Sequence, residues 1–121
     1  MNIITYNVRG LGKGVKGAAI RRLIVKEKTD MICIQETKKE IIEKTACQAL
    51  WGDPMVSREV LPAANSAGGI LCMWSDEKFK LESKVSGNGF IRLTGQWAKE
   101  AVQIHIVVVY SPCDIQNKRI L

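Results

Sequence analysis

The stretch Ile3-Ile4-Thr5-Tyr6-Asn7-Val8 decides how the fold begins, because β-branched and aromatic residues in such a run favour a strand. Gly10-Leu11-Gly12-Lys13-Gly14 breaks that strand, and residues 16–28 then carry apolar side chains at helical spacing. Met31-Ile32-Cys33-Ile34-Gln35 has the composition of a second, buried strand. The first 36 residues therefore predict a β-α-β unit with right-handed, parallel connection.

The hydrophobic period changes further along the chain. Residues 38–50 predict a second helix, whose apolar side is formed by Ile41, Ile42, Thr45 and Ala49. After residue 54, short runs rich in Val, Ile, Phe, Leu and Trp favour mainly antiparallel strands. These runs cover residues 55–59, 69–74, 79–85, 90–97 and 102–110. We predict an α/β fold, a mixed β-sheet flanked by helices, in which the later strands begin a second layer.

Composition limits the choice of partner and location. A formal net charge of +6 and a pI of about 9.3 favour a polyanion, although many basic surfaces are merely solvated. No positively charged N-terminal segment precedes a long apolar run, and residues 106–110 are too short to cross a bilayer. These features predict a soluble intracellular protein without a membrane partner, with the nucleus as a candidate compartment. The four cysteines lack paired metal-ligand spacing and are interpreted as reduced structural thiols.

Two polar residues, Asn7 and Glu36, lie at the carboxyl ends of the two parallel strands. In such a unit, ligands bind outside these strand ends. Of these, Glu36 is the candidate metal ligand, because one carboxylate completed by waters suits Mg²⁺. The alternative is that Asn7 caps a turn and Glu36 caps the following helix. Tyr110 ends the last strand, either as a hydrogen-bond donor to phosphate or as a core aromatic. The single histidine, His105, lies mid-strand and is expected to be structural.

Four segments resemble, in order and approximate spacing, the early motifs of the endonuclease/exonuclease/phosphatase superfamily. They are Tyr6-Asn7-Val8-Arg9-Gly10-Leu11, Ile34-Gln35-Glu36-Thr37-Lys38, Ser66-Ala67-Gly68-Gly69-Ile70 and Val109-Tyr110-Ser111-Pro112. The resemblance implies a DNase I-like, two-sheet α/β sandwich that uses Mg²⁺ or Mn²⁺ and acts on DNA. It implies metal binding by Glu36, orientation of the catalytic centre by Asn7 and a phosphate contact by Tyr110. Arg9 and Lys38, the basic residues of the first two motifs, are the predicted nucleic-acid contacts.

The Asn-Val-Arg-Gly-Leu-Gly run is most similar to the endonuclease of plant LINE-type retrotransposons. Abasic-site endonucleases usually carry Asp where Arg9 stands and often Trp where Tyr6 stands. The superfamily's later Gly-Asp-Phe-Asn-like and Ser-Asp-His motifs have no counterpart before Leu121, and residues 117–121 resemble a helix cut off after one turn. Residues 1–121 are therefore expected to be the N-terminal half of such a domain, a nuclease fragment inactive alone. The alternative is a non-enzymatic retroelement relic that at most binds nucleic acid, and oligomeric state is left open.

Overall fold

Seven strands and two helices form the part of the chain that the computed structural model describes, residues 1–12, 15–65 and 67–110. In chain order these elements are β1 (Ile3–Asn7), α1 (Val15–Lys26), β2 (Met31–Gln35), α2 (Lys44–Trp51), β3 (Val56–Leu61), β4 (Ile70–Ser75), β5 (Phe79–Gly87), β6 (Phe90–Trp97) and β7 (Val102–Val109). The helix predicted over residues 117–121 lies outside the described residues. Neither α1 nor α2 has the length and the apolar run needed to span a bilayer.

The first sheet has four strands in the order β1-β2-β4-β3. β1 and β2 are parallel neighbours joined through α1, as the β-α-β prediction required. β4 runs antiparallel to both β2 and β3. All five residues from Ile70 to Trp74 are buried, because this central strand is covered on both faces.

The second sheet is an antiparallel meander of β5, β6 and β7. It packs on the face of the first sheet that carries Met31 and Cys33, so the prediction of a second layer is confirmed. Phe79 lies between two tryptophans in this layer, with ring centroids 5.4 Å from Trp74 and 5.2 Å from Trp97. β3 and β4 belong to the first sheet, so the strands after residue 54 are divided between two layers.

The two helices cover the opposite face of the first sheet. Ile20 and Ile24 of α1 are buried, as the helical spacing predicted, and they share a core with Ile32 and Ile34 of β2. Cys47 is the buried residue of α2. The molecule is thus layered as helices, four-stranded sheet and three-stranded sheet, with one core on each side of the first sheet.

The start and the buried side of the second helix were predicted wrongly. α2 begins at Lys44, not at residue 38. Residues 38 and 39 are held by other segments, since Lys38 N donates to Gly68 O and Ala63 N donates to Lys39 O. These tertiary hydrogen bonds keep the segment in a non-helical course despite its helical period. Ile41, Thr45 and Ala49 of the predicted apolar side are exposed, whereas Ile42 is buried in the loop before α2.

Asp30 fixes the amino ends of three strands. Its carboxylate accepts hydrogen bonds from Asn2 N and from Lys78 Nζ, each 2.7 Å long, and lies 3.7 Å from the N-terminal amine. Burial raises the pKa of the Asp30 carboxyl, but these hydrogen bonds and the two positive charges together hold the pKa below its ordinary value. The starts of β1, β2 and β5 are therefore tied to one ionised carboxylate.

Candidate functional site

The carboxyl ends of β1 and β2 form the core of the candidate site. Asn7 and Gln35 are register partners at the last positions of the two strands, so Asn7 and Glu36 emerge at the same edge. Asn7 Oδ1 accepts a hydrogen bond from Arg9 N at 3.0 Å. Asn7 therefore caps a turn, as one of the two sequence interpretations proposed, while remaining an exposed residue that a ligand can reach.

Glu36 has a backbone conformation that side chains other than glycine rarely adopt, with φ of 56°. Such a conformation costs about 1–2 kcal/mol and persists only where the surroundings fix it. Here the Glu36 carbonyl accepts a hydrogen bond from Gly10 N at 2.7 Å. The next residue, Thr37, is fully buried and donates its N–H to Gly69 O. Its neighbours thus hold Glu36 half-buried at the sheet edge.

The helix-cap interpretation of Glu36 is wrong. No helix follows β2 directly, and the residue at the N-cap position of α2 is Glu43. Within the described part of the chain, Glu36 also forms no salt bridge. Glu36 therefore combines a strained backbone with partial exposure at the sheet edge.

A double glycine brings the third segment to this edge. A Cβ on Gly69 would lie 2.3 Å from Thr37 Oγ1, and a Cβ on Gly68 would lie 3.2 Å from the ring of Tyr110. Both glycines also have positive φ, so a side chain would be strained at either position, and at Gly69 it would also clash with Thr37. The Gly68-Gly69 backbone therefore lies directly between the Glu36-Thr37 segment and Tyr110.

Tyr110 is placed by the second sheet. Its N–H donates to Gly89 O at 2.7 Å, and Gln35 Nε2 donates to the carbonyl of the preceding residue, Val109, at 3.2 Å. The ring is half-buried against Gly68. Three segments that are far apart in sequence, ending in Asn7, Glu36 and Tyr110, are thus brought to one edge, which we call the rim.

A basic depression lies beside the rim. It is lined by residues that include Arg9, Lys16, Lys38 and Lys39. Lys16 Nζ donates to the carbonyls of Val8, Arg9 and Gly10 at 3.1, 3.2 and 2.9 Å, so it supports the turn from below. Arg9 and Lys38 are exposed, and both have positive φ. The two predicted nucleic-acid contacts therefore share one surface, with their charged groups in solvent.

Other predicted residues stay away from the rim. His105 lies on the outer face of the second sheet, where its Nδ1 is 2.8 Å from Thr94 Oγ1. Cys33, Cys47 and Cys72 are buried and free, while Cys113 lies outside the described residues. A hydrogen bond with Cys33, together with burial, raises the pKa of Cys72 well above its ordinary value. These buried thiols have the character of structural residues.

Sequence reasoning missed the residues that hold the rim together. Thr37, Gly68 and Gly69 were quoted only as parts of motifs, and Lys16 was not singled out. The one local signal was the double glycine before the strand at Ile70. Glycine next to a strand often marks a place where another segment approaches the backbone closely. The contacts of Thr37 and Lys16 depend on segments distant in space and left no local pattern.

The rim offers one carboxylate, Glu36, as a candidate metal ligand. In the described part of the chain, no three His, Cys, Asp or Glu side chains are grouped so as to hold a metal between them. A cage of three or more such side chains, as in structural zinc sites, is therefore not present among those residues. Mg²⁺ keeps several of its waters and requires one or two carboxylates, which Glu36 can begin to supply.

Comparison with solved structures agrees with this architecture. The Leishmania major AP endonuclease LMAP superposes with a TM-score of 0.67 at 22% identity, over 98% of this chain and 42% of the other. The catalytic domain of Xenopus laevis APE2 superposes with a TM-score of 0.65 at 12% identity, over 98% of this chain and 47% of the other. The chain has a DNase I-like fold. It spans less than half the length of each of these neighbours. No protein-family model and no curated protein sequence matches it.

Proposed function

We propose that this chain carries the metal-binding half of a divalent-metal-dependent phosphodiesterase that acts on DNA. The observation that carries the proposal is the convergence of Asn7, Glu36 and Tyr110 at one rim of a DNase I-like fold. That convergence is held by backbone hydrogen bonds from Gly10 to Glu36 and from Lys38 to Gly68, each between segments remote in sequence. A strained carboxylate at such a point is a feature of functional sites rather than of stable scaffolds.

Each rim residue has a distinct role in this proposal. Glu36 would hold Mg²⁺ or Mn²⁺ together with waters and substrate oxygens. A bound ion of this kind would polarise the phosphoryl oxygen of the scissile bond. Asn7 orients the centre through its exposed amide, and Tyr110 donates a hydrogen bond to a phosphate oxygen from its place over Gly68.

Arg9 and Lys38 are the proposed contacts to the DNA backbone. They are exposed in the basic depression next to Glu36, where paired cations release counterions from neighbouring phosphates. Both solved neighbours are AP endonucleases. The sequence resemblance implies that such enzymes usually carry Asp where Arg9 stands. Arg9 therefore supports an origin in a LINE-type retrotransposon endonuclease over one in a repair enzyme.

In this proposal, the described residues offer a metal ligand and hydrogen-bond donors, but they include no Asp–His pair at the rim that would activate water. The single histidine of the chain, His105, is committed to Thr94 on the other face of the second sheet. We therefore propose that residues 1–121 alone bind metal and DNA without cleaving DNA.

Metal binding at Glu36 can be tested without any catalytic readout. We expect Mn²⁺ binding, followed by electron paramagnetic resonance of the free ion, to be lost in Glu36→Gln. Glu40→Gln is the matched control, since Glu40 is an exposed carboxylate in the loop that follows and is expected to leave Mn²⁺ binding unchanged. Equal Mn²⁺ affinity in wild type and Glu36→Gln would show that Glu36 does not bind the metal. Plasmid nicking by the wild-type chain would contradict the proposal that it is catalytically incomplete.

A second candidate function is nucleic-acid binding without chemistry. The cluster of Arg9 and Lys38 favours it, because both charges are exposed and unpaired in the described part of the chain. Its signature is salt-sensitive, metal-independent DNA affinity that survives Glu36→Gln. Removing either cation should reduce the slope of log affinity against log salt concentration by about one. It should also weaken binding to all DNA sequences alike. Lys26→Ala, on the exposed face of α1, serves as the control that leaves the slope unchanged.

A further inference from the structure

The four edge strands of the sandwich differ in charge. On one flank, β3 carries Arg58 and Glu59, and β5 carries charged residues at three positions, namely Lys80, Glu82 and Lys84. Lys84 Nζ lies 2.5 Å from Glu59 Oε2, so this ion pair joins the two edges. Charged side chains on an edge strand prevent it from pairing with another chain. The β3/β5 flank is therefore protected in the usual way.

The opposite flank, formed by β1 and β7, lacks this protection. Neither Ile3–Asn7 nor Val102–Val109 contains Asp, Glu, Lys, Arg or Pro. Among the described residues, β1 pairs only with β2 and β7 only with β6. Val102, Val107 and Val109 are 50–58% exposed. A long, uncharged and apolar edge is a template for strand addition, so this flank has the properties of an interface.

The flank has the shape of a step. Ile3 and Thr5 are register partners of Met31 and Cys33 in the parallel pair, so all four side chains lie on the face toward the second sheet. Met31 and Cys33 are fully buried, whereas Ile3 is 37% exposed and Thr5 is exposed. The second sheet therefore covers β2 and stops short of β1. β1 forms a ledge that extends beyond β7.

β1 and β7 run in the same direction along this step. At their amino ends, the Met1 amine lies 3.5 Å from the carboxylate of Glu100, just before β7. At the carboxyl ends, Gln35 Nε2 donates to Val109 O, and Gln35 is the register partner of Asn7. A twofold axis parallel to the strands, passing between the two layers, would place the β1 ledge of one copy beside β7 of a second copy. The step is complementary to itself under that operation.

We propose that two copies of this chain associate about this axis, with β1 of each copy pairing in parallel with β7 of the other. Each layer then becomes a seven-stranded sheet, made of the four-stranded sheet of one copy and the three-stranded sheet of its partner. The two ledges lie face to face, which covers Ile3 and Thr5 with the same residues of the second copy. The interface is isologous and closed, as most protein dimers are.

The self-complementary step and the common direction of β1 and β7 support a second copy as the occupant of the flank. Because the axis runs along the strands, both rims lie at the same end of the dimer, next to one another. The association does not depend on the proposed function, since it involves no metal or nucleic-acid contact.

Light scattering on the purified chain tests the stoichiometry. We expect wild type to have twice its 13.5 kDa mass and to dissociate on dilution. Thr5→Lys should raise the dimer dissociation constant about tenfold or more, because it places two like charges in the desolvated centre of the interface. Ser83→Lys is the matched control, an exposed hydroxyl residue on the charged strand β5, and should dimerise like wild type.

Wild type that stays monomeric while folded, or whose mass rises beyond a dimer with concentration, would overturn the proposal. So would a Thr5→Lys protein that dimerises as tightly as wild type. Since Thr5 is exposed in the single copy, circular dichroism should show Thr5→Lys to be folded. Chemical cross-linking tests the same interface by a gain of signal instead of a loss of association.

Ile3→Cys and Val85→Cys place thiols at similarly exposed positions, 37% and 44%, on opposite flanks. A bismaleimide spanning about 10 Å, the spacing of facing sheets, should link two Ile3→Cys chains into a covalent dimer. It should leave Val85→Cys monomeric on a denaturing gel. Equal linking of the two variants, or none of Ile3→Cys, would show that the copies do not meet at the ledge.

Discussion

The two ends of the four-stranded sheet differ in how their charges are treated. At the amino end, the Asp30 carboxylate is paired with Lys78 and the N-terminal amine. At the carboxyl end, Arg9, Glu36 and Lys38 all have positive φ, and within the described residues none of them forms a salt bridge. The charges of the amino end are thus paired, whereas those of the carboxyl end, where the proposed site lies, are carried on a strained backbone.

The largest expected effect comes from breaking the support of the rim. Gly69→Ala would place a methyl group 2.3 Å from Thr37 Oγ1 at a residue with φ of 93°. Strain of roughly 1–2 kcal/mol and overpacking of roughly 1–3 kcal/mol should together lower the free energy of unfolding by about 3 kcal/mol. Urea unfolding measures this as a lower midpoint.

Gly12→Ala is the control for that change. Among the described residues, no heavy atom beyond its chain neighbours lies within 4 Å of a Cβ built at Gly12, so the midpoint of Gly12→Ala should stay close to that of wild type. Similar midpoints for the Gly69 and Gly12 variants would show that the double glycine is not needed for the approach of Thr37.

The next effect concerns the amino end and depends on pH. The pKa of the Asp30 carboxyl is lower in the fold than its ordinary value of 3.8, so its stabilising contribution is present above that pH and is lost as pH falls through the folded value. At neutral pH, Asp30→Asn should be less stable by about 2 kcal/mol, the size expected for hydrogen bonds to a charged group. The difference should shrink in acid below pH 3.8. A stability difference that stays constant across this range would argue against the ionised carboxylate as its cause.

The smallest effect should have the opposite sign. Lys38→Gly replaces a residue at φ of 57° with the one that tolerates this conformation, and should stabilise the fold by up to about 1 kcal/mol. Lys39→Gly, at the adjacent residue without positive φ, should destabilise it. Thermal unfolding of the pair separates the two outcomes. A less stable Lys38→Gly would mean that its side-chain packing against Gly10 outweighs the strain.

Much of the first sheet was predictable because local signals and topology agreed. The strand Met31–Gln35 matches its prediction residue for residue, and the parallel pairing placed Asn7 and Glu36 at one edge before any contact was known. The second helix was predicted too early because Lys38 and Lys39 are held by hydrogen bonds to residues more than twenty positions away. A helical period carries no information about such partners.

The same limit applies to the site. Glu36 and Tyr110 were predicted as site residues from their positions after strands and from the family resemblance. The left-handed backbone of Glu36 and the packing of Tyr110 on Gly68 arise from tertiary contacts that neither signal contains. The sequence predicted a second layer but did not show which of the later strands belong to it. β4 does not pair with β5, the strand that follows it in the chain. It lies between β2 and β3, where its unbroken apolar run is buried on both faces.

The aromatic cluster between the sheets has an optical consequence. Trp74 and Trp97 are both only 2% exposed and flank Phe79 where the two layers meet, whereas Trp51, the third tryptophan, lies on α2 against the other core. Two of the three indole emitters of the chain are therefore shielded from water only while the layers stay in contact. Their emission wavelength reports the separation of the two sheets without any added label, and Trp51→Phe would leave that signal free of the helical contribution.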